Sequence, residues 1–176
     1  VDIYFPSPNK CVIVGMNTKT NGTFAADYDA NKPMTAKVFK TIADPFLGKF
    51  SLVKVCSGIM KAGETVYNPN REKEERINKL YVLRGKEQIE VKELYAGDIG
   101  AIAKLDATLT GDSLTVKDTP VTYDPPKTSV PYEYRAYSAK NKGDEDKLSQ
   151  ALNRMMEEDQ TLKAVSDPEN HQTLLY

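Results

Sequence analysis

The sequence predicts a compact antiparallel β-barrel followed by a smaller α/β unit, and three observations point there. First, three glycine–acid pairs each open a short β-rich run: Gly63-Glu64 before Thr65-Val66-Tyr67, Gly97-Asp98 before Ile99, and Gly111-Asp112 before Ser113-Leu114. Glycine reaches positive φ without a Cβ penalty and the acid's carboxylate accepts hydrogen bonds from turn amides, so a turn is written ahead of each strand. Second, Met34, Ala36, Val38 and Ile42 alternate with Thr35, Lys37 and Thr41, the period of a half-buried strand. Third, a stiff joint at Asp124-Pro125-Pro126-Lys127-Thr128 precedes an amphipathic helical stripe set between strand-like segments.

The elements follow in order. Residues 1–32 are weakly periodic and read as an arm or linker: Tyr4-Phe5-Pro6-Ser7-Pro8 cannot be helical through its prolines, and Asn17 to Asn31 has loop composition. The barrel is expected over 33–124. Asp44-Pro45-Phe46-Leu47-Gly48 is a turn, after which Lys49 to Ser57 is a strand with Val53 and Val55 on one face and Phe50 and Leu52 on the other. A strand at a barrel corner packs on both sides in this way. Arg71 to Leu83 mixes a charge run with Tyr81-Val82-Leu83 and reads as strand, while the small residues of Ile99 to Leu105 suit a tapered barrel interior. Residues 125–130 form the linker. Over 131–176, Tyr132 to Ser138 is a strand, and Leu148, Ala151, Leu152, Met155 and Met156 mark the helix, with Asp144, Glu145 and Asp146 in its first turn. Thr161 to Ser166 and Gln172 to Tyr176 are further strands. The resulting β-α-β-β order buries little, as expected of a partial domain with an unpaired edge.

Composition narrows the function. The chain has 176 residues, 40% apolar and 28% charged, with a net charge of −1 and no apolar run near the roughly 20 residues that span a bilayer. No membrane partner is expected, and RNA contact would need local clusters because no global positive field exists. Cys11 and Cys56 fit no metal or CxxC spacing and read as reduced thiols, implying a cytoplasmic protein. Val1 opens without an initiating Met or signal pattern, as in a piece of a longer protein.

Catalytic chemistry is hard to assemble. No phosphate-cradling Gly-x-x-x-x-Gly-Lys-Ser/Thr loop occurs, His171 is the single histidine, and Glu157-Glu158-Asp159 reads as the solvated end of a helix. No catalytic residue, metal site or bound cofactor is expected. The basic residues are more informative. Lys49 follows one turn, while Arg71, Lys73, Arg76 and Lys79 cluster near another. Were the turns to meet on a barrel rim, they would form a phosphate-binding patch that the bare backbone of Gly48 leaves open. The alternative is a solvated face, since Glu72, Glu74 and Glu75 interleave with the bases. Phe46 suits a contact with a neighbouring domain or RNA, or a plug in the barrel end.

These motifs, in order, resemble one family. Asp44-Pro45-Phe46-Leu47-Gly48-Lys49, Val55 through Asn68, Lys73-Glu74-Glu75-Arg76-Ile77, Ala96-Gly97-Asp98-Ile99-Gly100-Ala101 and Thr110-Gly111-Asp112-Ser113-Leu114 resemble the second domain of elongation factor G. Lys147-Leu148 through Glu157-Glu158-Asp159, with Gln172-Thr173-Leu174-Leu175, looks like the first part of its third domain. The resemblance implies a six-stranded translation-factor barrel followed by a truncated ferredoxin-like β-α-β-β domain. It also implies a non-catalytic segment of a translational GTPase that acts in ribosomal translocation, with GTP and Mg bound by a GTP-binding domain preceding Val1. The implied partners are the ribosome (small-subunit rRNA and a small-subunit protein) and that GTP-binding domain, with Asp44, Pro45, Phe46, Gly48, Lys49, Arg71, Lys73 and Arg76 as candidate rRNA contacts. Gln160, where the family usually has proline, and the Ser138–Asp146 stretch resemble divergent paralogues. Ribosomal protection proteins share the layout, and a stand-alone protein-interaction barrel is the alternative of another class.

Overall fold

The structure is a computed structural model that describes residues 7, 10, 12–44, 48–141, 143–170 and 172–176, with the side chains of 43 and 44 excepted. Cys11, Pro45, Phe46 and His171 lie outside the described residues. Two compact units are present, Val1–Pro126 and Lys127–Tyr176.

In the first unit an eight-stranded antiparallel sheet carries most of the core. Its strands are β3 (Thr35–Asp44), β4 (Gly48–Ser57), β6 (Thr65–Asn68), β7 (Lys73–Arg76), β8 (Leu80–Arg84), β9 (Glu87–Val91), β11 (Ile99–Ala103) and β12 (Ser113–Thr115), in the order β7-β6-β12-β3-β4-β11-β8-β9. A two-stranded sheet pairs β5 (Ile59–Lys61) with β10 (Glu93–Tyr95). The expected antiparallel β class stands, with more strands than the expected six. Among the described residues no ladder joins β7 to β9, so the sheet curls round its core without closing as a hydrogen-bonded cylinder. Two ladders run one rung past their strands: the Ile77 amide donates to Glu64 O at 2.9 Å beyond the β6–β7 pair, and the Ala62 amide to Lys92 O at 2.9 Å beyond the β5–β10 pair.

The three glycine–acid turns form as their chemistry requires. Gly63, Gly97 and Gly111 hold φ of 87°, 100° and 95°. Asp98 accepts the Tyr95 amide at 2.8 Å and Asp112 the Leu109 amide at 3.0 Å, which ties the second and third of these turns shut from inside. The main core runs from Val38, Val53 and Val55 to Leu80, Ile102 and Leu114. On the opposite face of β4, Phe50 and Leu52 join Tyr81, Ala101 and Ala103, so this strand is apolar on both sides as its sequence indicates.

Two local expectations need correction. The period-two pattern of β3 breaks at a bulge between Val38 and Lys40, which turns Thr41 into the interior and sends Ile42 to the Phe50 cluster. Ala101 and Ala103 pack under Phe50 and Tyr81 rather than inside the taper. Gly100 does face a crowded spot, where a Cβ would stand 2.3 Å from Leu94 Cδ1.

The stretch read as a loop holds a hairpin, β1 (Val14–Asn17) and β2 (Gly22–Ala25), and β1 pairs with β13 (Val121–Thr122). Ala26, with Ile13 and Phe24, packs on Cys56, Val121 and Tyr123, so this stretch is part of the first unit's packing. Its strands escaped notice because each has four residues and the outward positions carry Val14 and Met16 in place of polar groups. Beneath it, Thr35 Oγ1 bonds Ser57 Oγ at 2.6 Å and the Tyr123 hydroxyl at 2.7 Å. Burial pushes the free Cys56 thiol up to about 11, so it is an inert thiol at neutral pH.

The second unit comprises β14 (Arg135–Tyr137), α1 (Glu145–Glu158), β15 (Ala164–Asp167) and β16 (Gln172–Leu175), the β-α-β-β order read from the sequence, in an antiparallel sheet ordered β14-β16-β15. The helix begins at Asp144, whose carboxylate accepts from Lys147 Nζ at 3.0 Å and Asn141 Nδ2 at 3.2 Å. It stops at Asp159, which turns extended and accepts the Thr161 amide at 2.9 Å. That Asx turn ends the helix without the proline that Gln160 replaces. Among the described residues of this unit only Leu152 is buried.

Candidate nucleic-acid interface

The β3–β4 connection defines one end of the large sheet, and strand direction decides what else lies there. Asp44 pairs with Gly48, and β3 runs antiparallel to β12 with Lys37 opposite Ser113. The segment entering β12 therefore approaches the same end, and Thr41 Oγ1 meets Thr110 Oγ1 at 2.9 Å. Strand β11 also ends there, since Ala103 faces Phe50 and the Lys104 amide donates to Lys49 O at 2.9 Å. Strand β6 points the same way, which aims the turn after Asn68 toward this end. Gly48, Lys49, Arg71 and the 104–112 loop are thus gathered by topology.

The predicted residues divide accordingly. Gly48 is exposed with φ of 83° and open space where a Cβ would stand, so its backbone is accessible to a bulky partner. Lys49 is half-buried beside it. Lys73 is exposed opposite Asn68. Arg76 pairs with Thr65 at the other end of β7 and does not join the group. Lys79 reaches Glu90 at 2.7 Å, and this hydrogen bond raises its pKa. Of Asp44, only the backbone position is described.

Arg71 is engaged within the molecule. Its Nε donates to Asp112 Oδ2 at 3.1 Å, and the same oxygen accepts from Asn68 Nδ2 at 3.0 Å as well as from the Leu109 amide. Asn68 Nδ2 also reaches Thr108 Oγ1 at 3.0 Å, and Asn70 Oδ1 accepts the Ser113 amide at 2.8 Å. Glu75 accepts the Ala107 amide at 2.8 Å and the Thr108 hydroxyl. Glu74 pairs with Lys117 at 2.7 Å and so raises that lysine's pKa. Glu75 is therefore not part of a passive solvated face: it pins the 104–112 loop, and Asp112 fixes that loop to the β6–β7 turn. A carboxylate buried with its donors satisfied rigidifies what it joins. Sequence reading marked Asp112 only as a turn former, and it missed Lys104, for which no local pattern speaks. Among the described residues no cluster of metal-ligating side chains forms.

Comparison with known proteins places this geometry. The family model described as Elongation factor G domain 2 matches residues 33–117, and the model described as Elongation Factor G, domain III matches residues 129–176. The chain belongs to the elongation factor G family. A solved crystal structure from Thermus thermophilus is similar at 30% sequence identity with a TM-score of 0.73, over 82% of this chain and 22% of that one. The chain therefore spans about a fifth of that relative's length. It is a segment of the translational GTPase type, with domain 2 supplying the sheet end described above and domain III the α+β unit.

Proposed function

We propose that this segment is the ribosome-docking and coupling part of an elongation factor G-type translational GTPase acting in translocation, with no catalytic chemistry of its own. The observation that carries the reading is the end of the large sheet, where an open glycine backbone and lysines stand beside a loop braced by Asp112 and Glu75. Cations on a rigid mount suit the phosphate backbone of small-subunit rRNA, because neutralising phosphates releases counterions while the mount limits the entropy lost on binding. In this reading Gly48, Lys49 and Lys73 meet RNA, and Arg71 braces the loop while presenting its exposed edge. GTP and Mg belong to a separate domain of the same protein, and the site of action is the cytoplasm.

Binding of the chain to purified small ribosomal subunits, measured against salt, tests the reading. Affinity is expected to fall steeply between about 50 and 200 mM salt and to drop roughly tenfold on Lys49→Glu. Salt-independent binding, or none, contradicts it. GTP binding at micromolar concentration would contradict the division of labour.

A further inference from the structure

We propose that Asn68 and Asp112 are positioning residues that hold Arg71 as a two-pronged receptor for the phosphate oxygens of the RNA backbone. This rests on the reading of the docking end as an RNA surface. Asn68 is the centre of the arrangement and is fully buried. Its Oδ1 accepts the Asn70 amide at 3.0 Å and the Arg71 amide at 3.2 Å, which fixes where the arginine leaves the chain. Its Nδ2 donates to Asp112 Oδ2 at 3.0 Å and helps fix where the guanidinium ends, because Arg71 Nε donates to that same oxygen at 3.1 Å. Asp112 is itself anchored. It is 5% exposed, its backbone carbonyl accepts the Val38 amide at 2.9 Å, and its carboxylate accepts the Leu109 amide at 3.0 Å.

The arrangement holds more than a brace requires. One N–H on a cation answers a buried carboxylate, and a lysine supplies that. Arginine brings five N–H groups in one plane. Among the described residues the Arg71 guanidinium donates to Asp112 alone, through Nε, and its side chain is 43% exposed. The Nε bond restrains the plane and leaves the four N–H groups on Nη1 and Nη2 to meet a ligand. Parallel N–H groups of that kind match two oxygens of one phosphate, a charge-assisted pairing stronger and more directional than a lysine makes. A long side chain loses rotamer freedom when it binds, and one anchored at both ends has lost much of it beforehand. Exposed Lys73, opposite Asn68 in the β6–β7 ladder, adds a second cation to the same turn, as a polyanion favours over a single carboxylate. The Gly48 backbone, at the same end of the sheet, is open to an approaching chain.

The test uses the whole chain and purified small ribosomal subunits, with Lys86→Gln in the β8–β9 turn as a control that binds as the parent does. Arg71→Gln is expected to weaken binding about tenfold near 100 mM salt and to lower the slope of log affinity against log salt by about one. Arg71→Lys keeps the charge and is expected to keep the slope while binding about threefold more weakly than the parent. Asp112→Asn is expected to weaken binding about threefold in the parent and to have no further effect beside Arg71→Gln, the mark of a residue that acts through Arg71. In the free parent, the Arg71 Nε proton is expected to exchange with water about tenfold more slowly than that of exposed Arg84, read by NMR. Equal exchange rates, or an equal loss for Asp112→Asn with and without Arg71, would overturn the positioning role. Parent-like binding by Arg71→Lys would overturn the two-pronged contact. Parent-like affinity and slope for Arg71→Gln, beside a loss for Lys49→Glu, would overturn the proposal and leave the docking reading standing. Absence of binding by the parent would overturn both. Displacement by inorganic phosphate at matched ionic strength would show a free-phosphate site and overturn the RNA source.

Discussion

The two units solve the problem of burial differently. The first encloses a continuous apolar core and also buries polar groups with partners supplied, as at Thr35, Asn68, Thr108 and Asp112. The second buries Leu152 alone among its described residues and leaves Val165 on its sheet and Tyr134 just before β14 exposed. Since hydrophobic stabilisation scales with apolar area removed from water, the first unit should be the rigid body and the second the compliant one. A docking surface needs rigidity, and a segment that relays a change of state needs to yield. The difference in burial therefore matches the proposed division between docking and coupling.

Core truncation should show the contrast most strongly. Leu80→Ala, at a fully buried position, is expected to cost the first unit about 3 kcal/mol, while Leu152→Ala should cost the second on the order of 1 kcal/mol. Unit-resolved hydrogen exchange under denaturant would read both, and equal costs would break the comparison. Removing the brace ranks next. Asp112→Ala leaves Asn68, Arg71 and the Leu109 amide without their shared acceptor and should cost about 2 kcal/mol, whereas Arg71→Gln, whose side chain is 43% exposed, should cost less than about 1 kcal/mol. Urea titrations of both variants decide it, and a silent Asp112→Ala would show that the loop is held by other means.

Acid should separate the units in the other direction. Asp144 has a lowered pKa from its bond with Lys147, Asp159 from its bond with Thr161, and Asp167 from its bond with Asn170. A carboxyl whose folded pKa lies below its unfolded value adds stability that is present above the unfolded value, here 3.8, and is lost as pH falls through the folded one. Helix α1 is thus expected to lose circular-dichroism signal below pH 3.8, before the first unit's sheet changes. Simultaneous loss would contradict this. The smallest effect sits inside the large sheet. Ser51 Oγ is fully buried with no hydrogen-bond partner among the described residues, so Ser51→Ala should be neutral or stabilise by up to about 1 kcal/mol, readable as a raised melting temperature.

Much of the first unit was legible because its determinants are local. Glycine followed by an acid specifies a turn through backbone freedom and a reachable carboxylate, and the two faces of β4 follow from alternation. What escaped detection depends on distant partners. The bulge after Val38 reverses the face of Ile42 through pairing with β4. Strand β1 forms a local hairpin with β2, but its second neighbour is residues 121–122, more than a hundred positions on. In the candidate interface, Gly48 and Lys49 could be chosen from their turn. The opposite placement of Arg76, the bracing role of Glu75 and the position of Lys104 follow from strand direction, which no short window of sequence contains.

Hydrogen exchange of the chain, free and bound to small ribosomal subunits, tests the central claim most directly. New protection is expected at the amides of 48–50 and 103–111, with none in the β8–β9 turn around Lys86. Protection centred on that turn, or on the second unit's sheet alone, would contradict the assignment of the docking end.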